Sequence, residues 1–199
     1  MDYQLEHWIN GPAGHHAALD TLMRDAANWA VPVFIGIVAV WFVIGWITGR
    51  PVERRGAVLA LLASGGALLI NQVIIRIWER PRPFVSHPGA VHVLVSRSTD
   101  PSFPGDHAAA SIAIAVAVLL LHRRIGLVVL AVALLVCYAR VYVGAHYPGD
   151  VLGGAAIGLV VTLLLWRPLA FVPTRVNDAL TWLIRLLHLP LPDRIPARI

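Results

Sequence analysis

Long apolar stretches alternate along this chain with short stretches crowded with charge. Five stretches are apolar almost without interruption: 29–47, 57–78, 107–121, 125–143 and 151–166. A helix needs about 20 residues, within a range of about 17–25, to cross the hydrocarbon of a bilayer. The pattern therefore predicts an all-α integral membrane protein built as a bundle of about five transmembrane helices. The third stretch is short, which predicts that its outer end stops below the headgroups, in a polar cavity lined by protein. Small residues cluster in the spans at Ser64-Gly65-Gly66-Ala67, Ala108-Ala109-Ala110-Ser111 and Gly153-Gly154-Ala155-Ala156. Such clusters let helix backbones approach closely in lipid.

The ends of the chain follow a different pattern. Residues 1–28 hold no spanning run, and the stretch from His15 to Arg24 mixes apolar and polar positions at helical spacing. It is expected to lie in the membrane interface. The acidic start and the lack of a basic leading segment argue against a signal peptide. Within 174–189, Val176, Leu180, Leu183 and Leu187 share one helical face, which predicts a second interfacial helix with Trp182 as a headgroup anchor. The 199 residues suffice for one domain. The expected division is a single membrane-embedded domain over 1–199, with an interfacial segment at 1–28 and a transmembrane core at 29–166.

Composition sharpens this picture. The chain is 58% hydrophobic, well above a soluble average. The single cysteine, Cys137, rules out an intrachain disulfide. All 16 Lys-plus-Arg positions are arginine. A nucleic-acid binder would spread basic residues over a polar face; here they sit between apolar runs, so lipid and phosphate are the expected partners. Arg50, Arg54, Arg55, Arg123, Arg124, Arg167 and Arg175 fall on one side of the predicted bundle. An excess of arginine marks the cytoplasmic side, which puts residues 79–106 and 144–150 outside. Those outer connections carry arginines too, against the rule, and an anionic substrate accounts for them.

The outer connections also carry the chemistry. Arg140 lies at the end of the fourth span, where an arginine would cost about 2.5–3.5 kcal/mol at the bilayer centre and stays only if paired or solvated. His146 follows after Gly144 has broken the helix, and Pro148 suits the first turn of the next one. Asp150, four residues past His146, is within plausible reach of one imidazole nitrogen. A carboxylate there would fix the tautomer and free the other nitrogen to attack. His107 opens the third span, where free amides and the helix dipole favour a phosphate, and it could donate a proton to a leaving oxygen. Asp106 reads either as an ordinary helix-start acid or as a partner that keeps His107 protonated. Pro81 and Pro83 hold Arg82 on an extended arm. Asn71 and Gln72 suit interhelical hydrogen bonds, whereas Arg76 and Arg82 suit phosphate, whose oxygens a guanidinium matches. In the long outer loop His87 could meet a second phosphate, while His92, Arg97 and Asp100 read as solvated. The set specifies a site in which Arg82 and Arg140 hold a phosphate, His146 attacks phosphorus and His107 protonates the leaving group. No cluster has metal-ligand spacing, so metal-free chemistry is expected, with no cofactor.

These pieces resemble the type 2 phosphatidic acid phosphatase superfamily. Its third motif reads Ser-Arg, five residues, His, three residues, Asp; this chain has Ala139-Arg140, His146 and Asp150 at that spacing. Its second motif, Pro-Ser-Gly-His, stands here as Pro104-Gly105-Asp106-His107. Its first, Lys, six residues, Arg-Pro, keeps Arg82-Pro83 but has Ile75 at the lysine, with Arg76 next to it. A one-residue shift turns a helical side chain by about 100°. The runs Pro81 to Val85 and Ser102 to His107 are similar to those of the bacitracin-resistance branch, the undecaprenyl-diphosphate phosphatases. That resemblance implies a phosphohistidine at His146, His107 as acid and then base, and phosphate held by Arg82 and Arg140. It also implies a bacterial inner-membrane enzyme that dephosphorylates the cell-wall carrier lipid on the outer face. The hydroxyls that the wider family has at the positions of Gly105 and Ala139 are missing, which removes two donors to phosphate. Two other readings are a phosphatase of phosphatidylglycerophosphate or phosphatidic acid, and a non-catalytic lipid-binding protein on the same scaffold.

Overall fold

Apolar runs bounded by proline, glycine and charge fold here as helices, because a helix satisfies its own backbone polar groups where lipid cannot. The computed structural model describes residues 1–166 and Trp182. In chain order the helices are α1 (Asp2–Asn10), α2 (Ala17–Asn28), α3 (Ala30–Ile47), α4 (Pro51–Ile75), the single turn α5 (Pro83–Ser86), α6 (Asp106–Leu121), α7 (Arg123–Tyr142) and α8 (Pro148–Trp166). All the regular elements among the described residues are helical. The expected helix at 174–189 lies outside the described residues.

α3, α4, α7 and α8 are each long and apolar enough to cross a membrane. Their outward faces carry a belt of exposed apolar side chains, among them Ile35, Val40, Leu61, Leu69, Val128, Leu134 and Leu164. A belt of that extent faces lipid, not water, and the chain is a multi-pass membrane protein. α6 is shorter, 16 residues, or about 24 Å at 1.5 Å per residue. It can be short because it is the centre of the bundle. It packs on α4, α7 and α8, and Ala108, Ala109, Ser111 and every residue from Ile112 to Val118 are buried. Its neighbours meet the lipid in its place.

Two span boundaries differ from those read off the apolar runs, for one reason. α4 begins at Pro51 and α8 at Pro148, each several residues ahead of its apolar run. Proline at the first helical turn sets the start, and the polar residues after it are carried into the helix. α4 then ends at Ile75, so Arg76 is its cap and Trp78 lies beyond it.

The small-residue clusters act where α8 crosses α6. A Cβ at Gly154 would collide with the carbonyl of Gly105, and one at Gly158 with the carbonyl of Ala109. Bare glycines thus let α8 sit directly against the opening of α6. The Gly105 amide donates to the carbonyl of Asp150 at 2.9 Å, so the starts of the two helices are tied together. Gly144, with φ of 75°, ends α7 and turns the chain back toward that junction.

The N-terminal segment is more embedded than an interfacial helix would be. α2 presents Met23 and Ala27 to Ala139, Tyr142 and Val143. α1, which the sequence pattern did not single out, packs on α7 and α8 and buries Glu6 and Asn10. The Asn10 amide donates to the carbonyls of His92 at 2.8 Å and Tyr142 at 2.7 Å, and its oxygen accepts from the His92 amide at 2.8 Å.

Candidate active site

The end of α4, the start of α6, the end of α7 with the turn after it, and the loop between α5 and α6 converge on a cavity of 280 Å³. Arg82, His107, Arg140 and His146 line it, with Asp106, Gln72, Ile75, Ser98 and Asp100. The four residues expected to carry phosphate chemistry are therefore brought together from segments up to 64 residues apart.

His146 stands in the short turn between α7 and α8, buried to 3% exposure. Its Nδ1–H donates to the backbone carbonyl of Ser102 at 2.8 Å. That bond fixes the tautomer, leaving Nε2 with its lone pair. Nε2 lies 3.4 Å from Arg82 Nη1 and 3.4 Å from Arg140 Nη2. Burial, with the Arg140 and Arg82 guanidiniums, holds the imidazole below its ordinary pKa, against the opposing pull of Asp150. That shift favours the neutral ring, with a lone pair on Nε2.

Asp150 sits differently from the expectation of a direct carboxylate–imidazole bond. Its Oδ2 is 3.9 Å from His146 Nδ1. Oδ2 instead accepts from Ser102 Oγ at 2.5 Å and from the Tyr147 amide at 2.8 Å, and Oδ1 accepts from Arg80 at 2.6 Å. The carboxylate thus holds the residue whose carbonyl holds the imidazole. Ser102 and Arg80 were both missed as site residues. The Ser-Phe-Pro run drew attention to Ser102 only as part of a motif, and Arg80 looked like one more loop arginine.

The two cavity-lining arginines are held by opposite means. Arg82 Nε donates to the Asp100 carbonyl at 2.8 Å and Nη1 to the Ala145 carbonyl at 3.0 Å. Burial lowers its pKa, opposed by the charges of Asp100, Asp150 and Asp106, and a guanidinium stays charged regardless. Arg140 Nε is buried without a hydrogen-bond partner. A buried donor left unpaired is costly, and an anion in the cavity would relieve that cost.

Asp106 does not bond His107. Its Oδ1 accepts from Asn71 Nδ2 at 2.7 Å, so it is the first-turn acid that ties α6 to α4. This also gives Asn71 the interhelical role expected of it. Gln72, expected to bond between helices, lines the cavity instead. Arg76 is exposed and does not line the cavity, whereas Ile75, one position earlier, does. The 100° turn per residue carries Arg76 away from the site. His87 is also elsewhere: it stacks on Tyr3 with ring centroids 3.5 Å apart and lies 3.4 Å from the Tyr147 hydroxyl. Asp100, read as a solvated loop residue, supplies the carbonyl that anchors Arg82.

Gly105 and Ala139 lack the hydroxyls expected at their positions. The backbone there is tightly placed: a Cβ on Gly105 would meet the Asp150 carbonyl at 3.2 Å, and Ala139 is fully buried. Gln72, at the cavity, is a neutral donor near their place; the Ser98 hydroxyl, also there, donates to Asp100 Oδ2 at 2.9 Å, and the first-turn amides of α6 have no intrahelical partner.

A membrane bundle that encloses two guanidiniums and two imidazoles around one cavity at its end is the frame of a membrane phosphatase. The chain belongs to the PAP2 superfamily, which residues 56–171 match. It is 31% identical over 186 residues to undecaprenyl-diphosphatase BcrC of Bacillus subtilis (strain 168), covering 90% of this chain and 93% of that one. It is 27% identical over 154 residues to the putative undecaprenyl-diphosphatase YbjG of Escherichia coli (strain K12), covering 72% and 77%. The crystal structure of Aquifex aeolicus LpxE shares the fold, with a TM-score of 0.69 at 23% identity over 82% of this chain and 93% of that one.

Proposed function

We propose that the protein hydrolyses undecaprenyl diphosphate to undecaprenyl phosphate and phosphate. The observation that carries this reading is the His146 imidazole, held at Nδ1 by the Ser102 carbonyl with Nε2 standing 3.4 Å from both Arg82 and Arg140. A terminal phosphate seated between the two guanidiniums presents its phosphorus to that nitrogen. The N–P bond forms as the bridging P–O bond breaks, and the undecaprenyl phosphate leaves with the proton given by His107. His107, now neutral, takes a proton from water, whose oxygen attacks the phosphohistidine and releases inorganic phosphate. Electrostatic stabilisation at phosphorus comes from the two arginines, so the reaction needs no divalent ion.

The names of the curated relatives support the diphosphate substrate. The arginine pattern supports the location. Arg50, Arg54, Arg55, Arg123 and Arg124 gather where α3 meets α4 and α6 meets α7, at the far end from the cavity. By the positive-inside rule that end is cytoplasmic, and the chemistry faces outside the bacterial inner membrane, where the carrier lipid would be recycled.

The test is phosphate release by purified protein from undecaprenyl diphosphate, phosphatidylglycerophosphate and phosphatidic acid, with and without EDTA. The expected result is a preference for the diphosphate, unchanged by EDTA, and an acid-labile, base-stable phosphoenzyme. Preference for a glycerolipid phosphate would replace the substrate. Strict dependence on a divalent ion would replace the mechanism.

A further inference from the structure

The N-terminal helix reaches the catalytic turn through one arginine. Arg80 Nη1 donates to Asp150 Oδ1 at 2.6 Å, and Nη2 donates to Asp2 Oδ2 at 2.7 Å. Asp2 Oδ1 accepts from the Gly149 amide, in the first turn of α8, at 2.9 Å. The face of the guanidinium lies 4.2 Å from the centroid of the Tyr147 ring. Arg80 also accepts, through its carbonyl, from the Ser102 amide at 2.7 Å.

We propose that Arg80 and Asp2 are positioning residues of the phosphatase reaction, and that α1 is through them a working part of the active site. The argument follows the contacts outward from the nucleophile. His146 is aimed by the Ser102 carbonyl. Ser102 is held on one side by Asp150, which accepts its hydroxyl, and on the other by the backbone of Arg80. The Asp150 side chain has no exposure to solvent, and Arg80 is the cation in hydrogen-bond contact with it. A buried carboxylate deprived of its cation is strongly disfavoured, and its oxygens would turn or take a proton. Either change releases Ser102, and with it the imidazole.

Arg80 in turn depends on Asp2. Burial works against its charge, while its hydrogen bonds and charge contacts with Asp2 and Asp150 outweigh that effect and raise its pKa. The guanidinium side chain is 26% exposed and that of Asp2 is 32% exposed. Without Asp2, Arg80 is free to swing toward solvent, and the first turn of α8 loses the acceptor on Gly149. Neither Asp2 nor Arg80 lines the cavity, so neither touches the phosphate. Their effect falls on the geometry of the attack and leaves substrate affinity in place.

This inference rests on His146 being the nucleophile, and the test separates the two. Asp2→Asn, Arg80→Lys, Arg80→Ala and His146→Ala are purified alongside wild type, with thermal unfolding to normalise for folded protein. Steady-state kcat and KM are measured on the phosphate ester that wild type cleaves best. Arg80→Ala is expected to lower kcat by about 10–100-fold, the loss typical when the support of a functional side chain is removed, with KM unchanged. Arg80→Lys and Asp2→Asn are expected to fall between it and wild type. Ethylguanidinium, which fits the vacated and partly exposed position, is expected to restore part of the Arg80→Ala turnover, against a salt control of equal ionic strength. Wild-type kcat in Asp2→Asn and Arg80→Ala, or a loss confined to KM, would overturn the inference. If Arg80→Ala does not fold, Asp2→Asn decides the matter alone. Retained turnover in His146→Ala would instead remove the nucleophile assignment itself.

Discussion

Two acid–histidine pairs stand at opposite ends of this bundle, and they are built in opposite ways. At the end where α4 and α7 begin, Glu53 Oε2 meets His122 Nε2 at 2.6 Å and also accepts from Trp41 Nε1 at 2.8 Å. That pair is closed: the acid is filled by its partners. At the other end, Asp150 stays 3.9 Å from His146, and the imidazole hydrogen-bonds to a carbonyl instead. Its second nitrogen stands at the edge of the cavity, 3.4 Å from each of two guanidiniums. The short carboxylate–imidazole contact thus lies away from the cavity that holds Arg82, His107, Arg140 and His146. What sets the other end apart is an oriented nitrogen beside two guanidiniums that form no ion pair among the described residues. The first arrangement joins helices, and the second leaves an imidazole nitrogen at a cavity beside two guanidiniums.

The sharpest way to break this contrast is to remove each imidazole in turn. His146→Ala is expected to lower turnover by on the order of 10⁴-fold or more, as loss of a nucleophile does. His122→Ala is expected to leave turnover per folded molecule near wild type. Phosphate release, normalised to folded protein by size-exclusion peak area, reads both. Comparable losses in the two variants would mean that the closed pair also serves the chemistry.

Next come the cations. Replacing Arg140 or Arg82 by alanine removes a donor aimed at the phosphoryl oxygens, an effect worth about 10²–10³-fold in kcat for a single donor. Loss of Arg82 should also raise the thermal sensitivity of the loop, because Arg82 anchors the carbonyls of Asp100 and Ala145. Arg76→Ala is the control within the same stretch of chain, and its kinetics should match wild type. A large loss there, measured on the same substrate, would mean that Arg76 turns into the site when substrate arrives.

Arg76 also shows where the sequence stopped being readable. The spans were legible because apolar runs between prolines and charges leave the backbone few choices in lipid. Arg140, His146 and Asp150 were legible because spacing along ten residues survives folding almost unchanged. What was not legible depended on partners far away in the chain. Asp2 pairs with Arg80 and with the Gly149 amide, and Asn10 with the backbones of His92 and Tyr142. Without those partners, acidic residues at helical spacing near the N-terminus read as a solvated face. The Ser102 carbonyl gives no sequence signal at all, since every residue has one. His87 was placed in the site by its residue type, but an aromatic stack on Tyr3 claims it.

A smaller effect tests the closed pair directly. Trp41→Phe removes the indole donor from Glu53 and leaves one side of a half-buried carboxylate unfilled. The expected cost is about 1–3 kcal/mol, the range for stranding one partner of a buried hydrogen bond, with turnover per folded molecule unchanged. Chemical denaturation in detergent measures the first and phosphate release the second. A loss of turnover without a loss of stability would move this end of the bundle from scaffold to mechanism.

A further test comes from a third acid, which follows neither arrangement. Glu6 in α1 is completely buried, and neither of its carboxylate oxygens has a hydrogen-bond partner. Burial, and then the charge of Asp2, push its pKa up from the ordinary 4.5 to about 7. Asp2 and Asp150 already share the one guanidinium of Arg80, so a third negative charge nearby would have no match, and the neutral acid is the form that fits. Between pH 4.5 and about 7 the folded protein then holds a proton that the unfolded chain has lost. Where the folded state binds more protons, stability falls as pH rises. This contribution is therefore full below pH 4.5, declines through the window, and is gone above about 7. Glu6→Gln keeps the neutral shape and abolishes the titration. Its thermal midpoint should decline less than that of wild type across the window and exceed it most above pH 7. Parallel profiles for the two proteins would mean that Glu6 is ionised in the fold, paired in a way that its unfilled oxygens do not show.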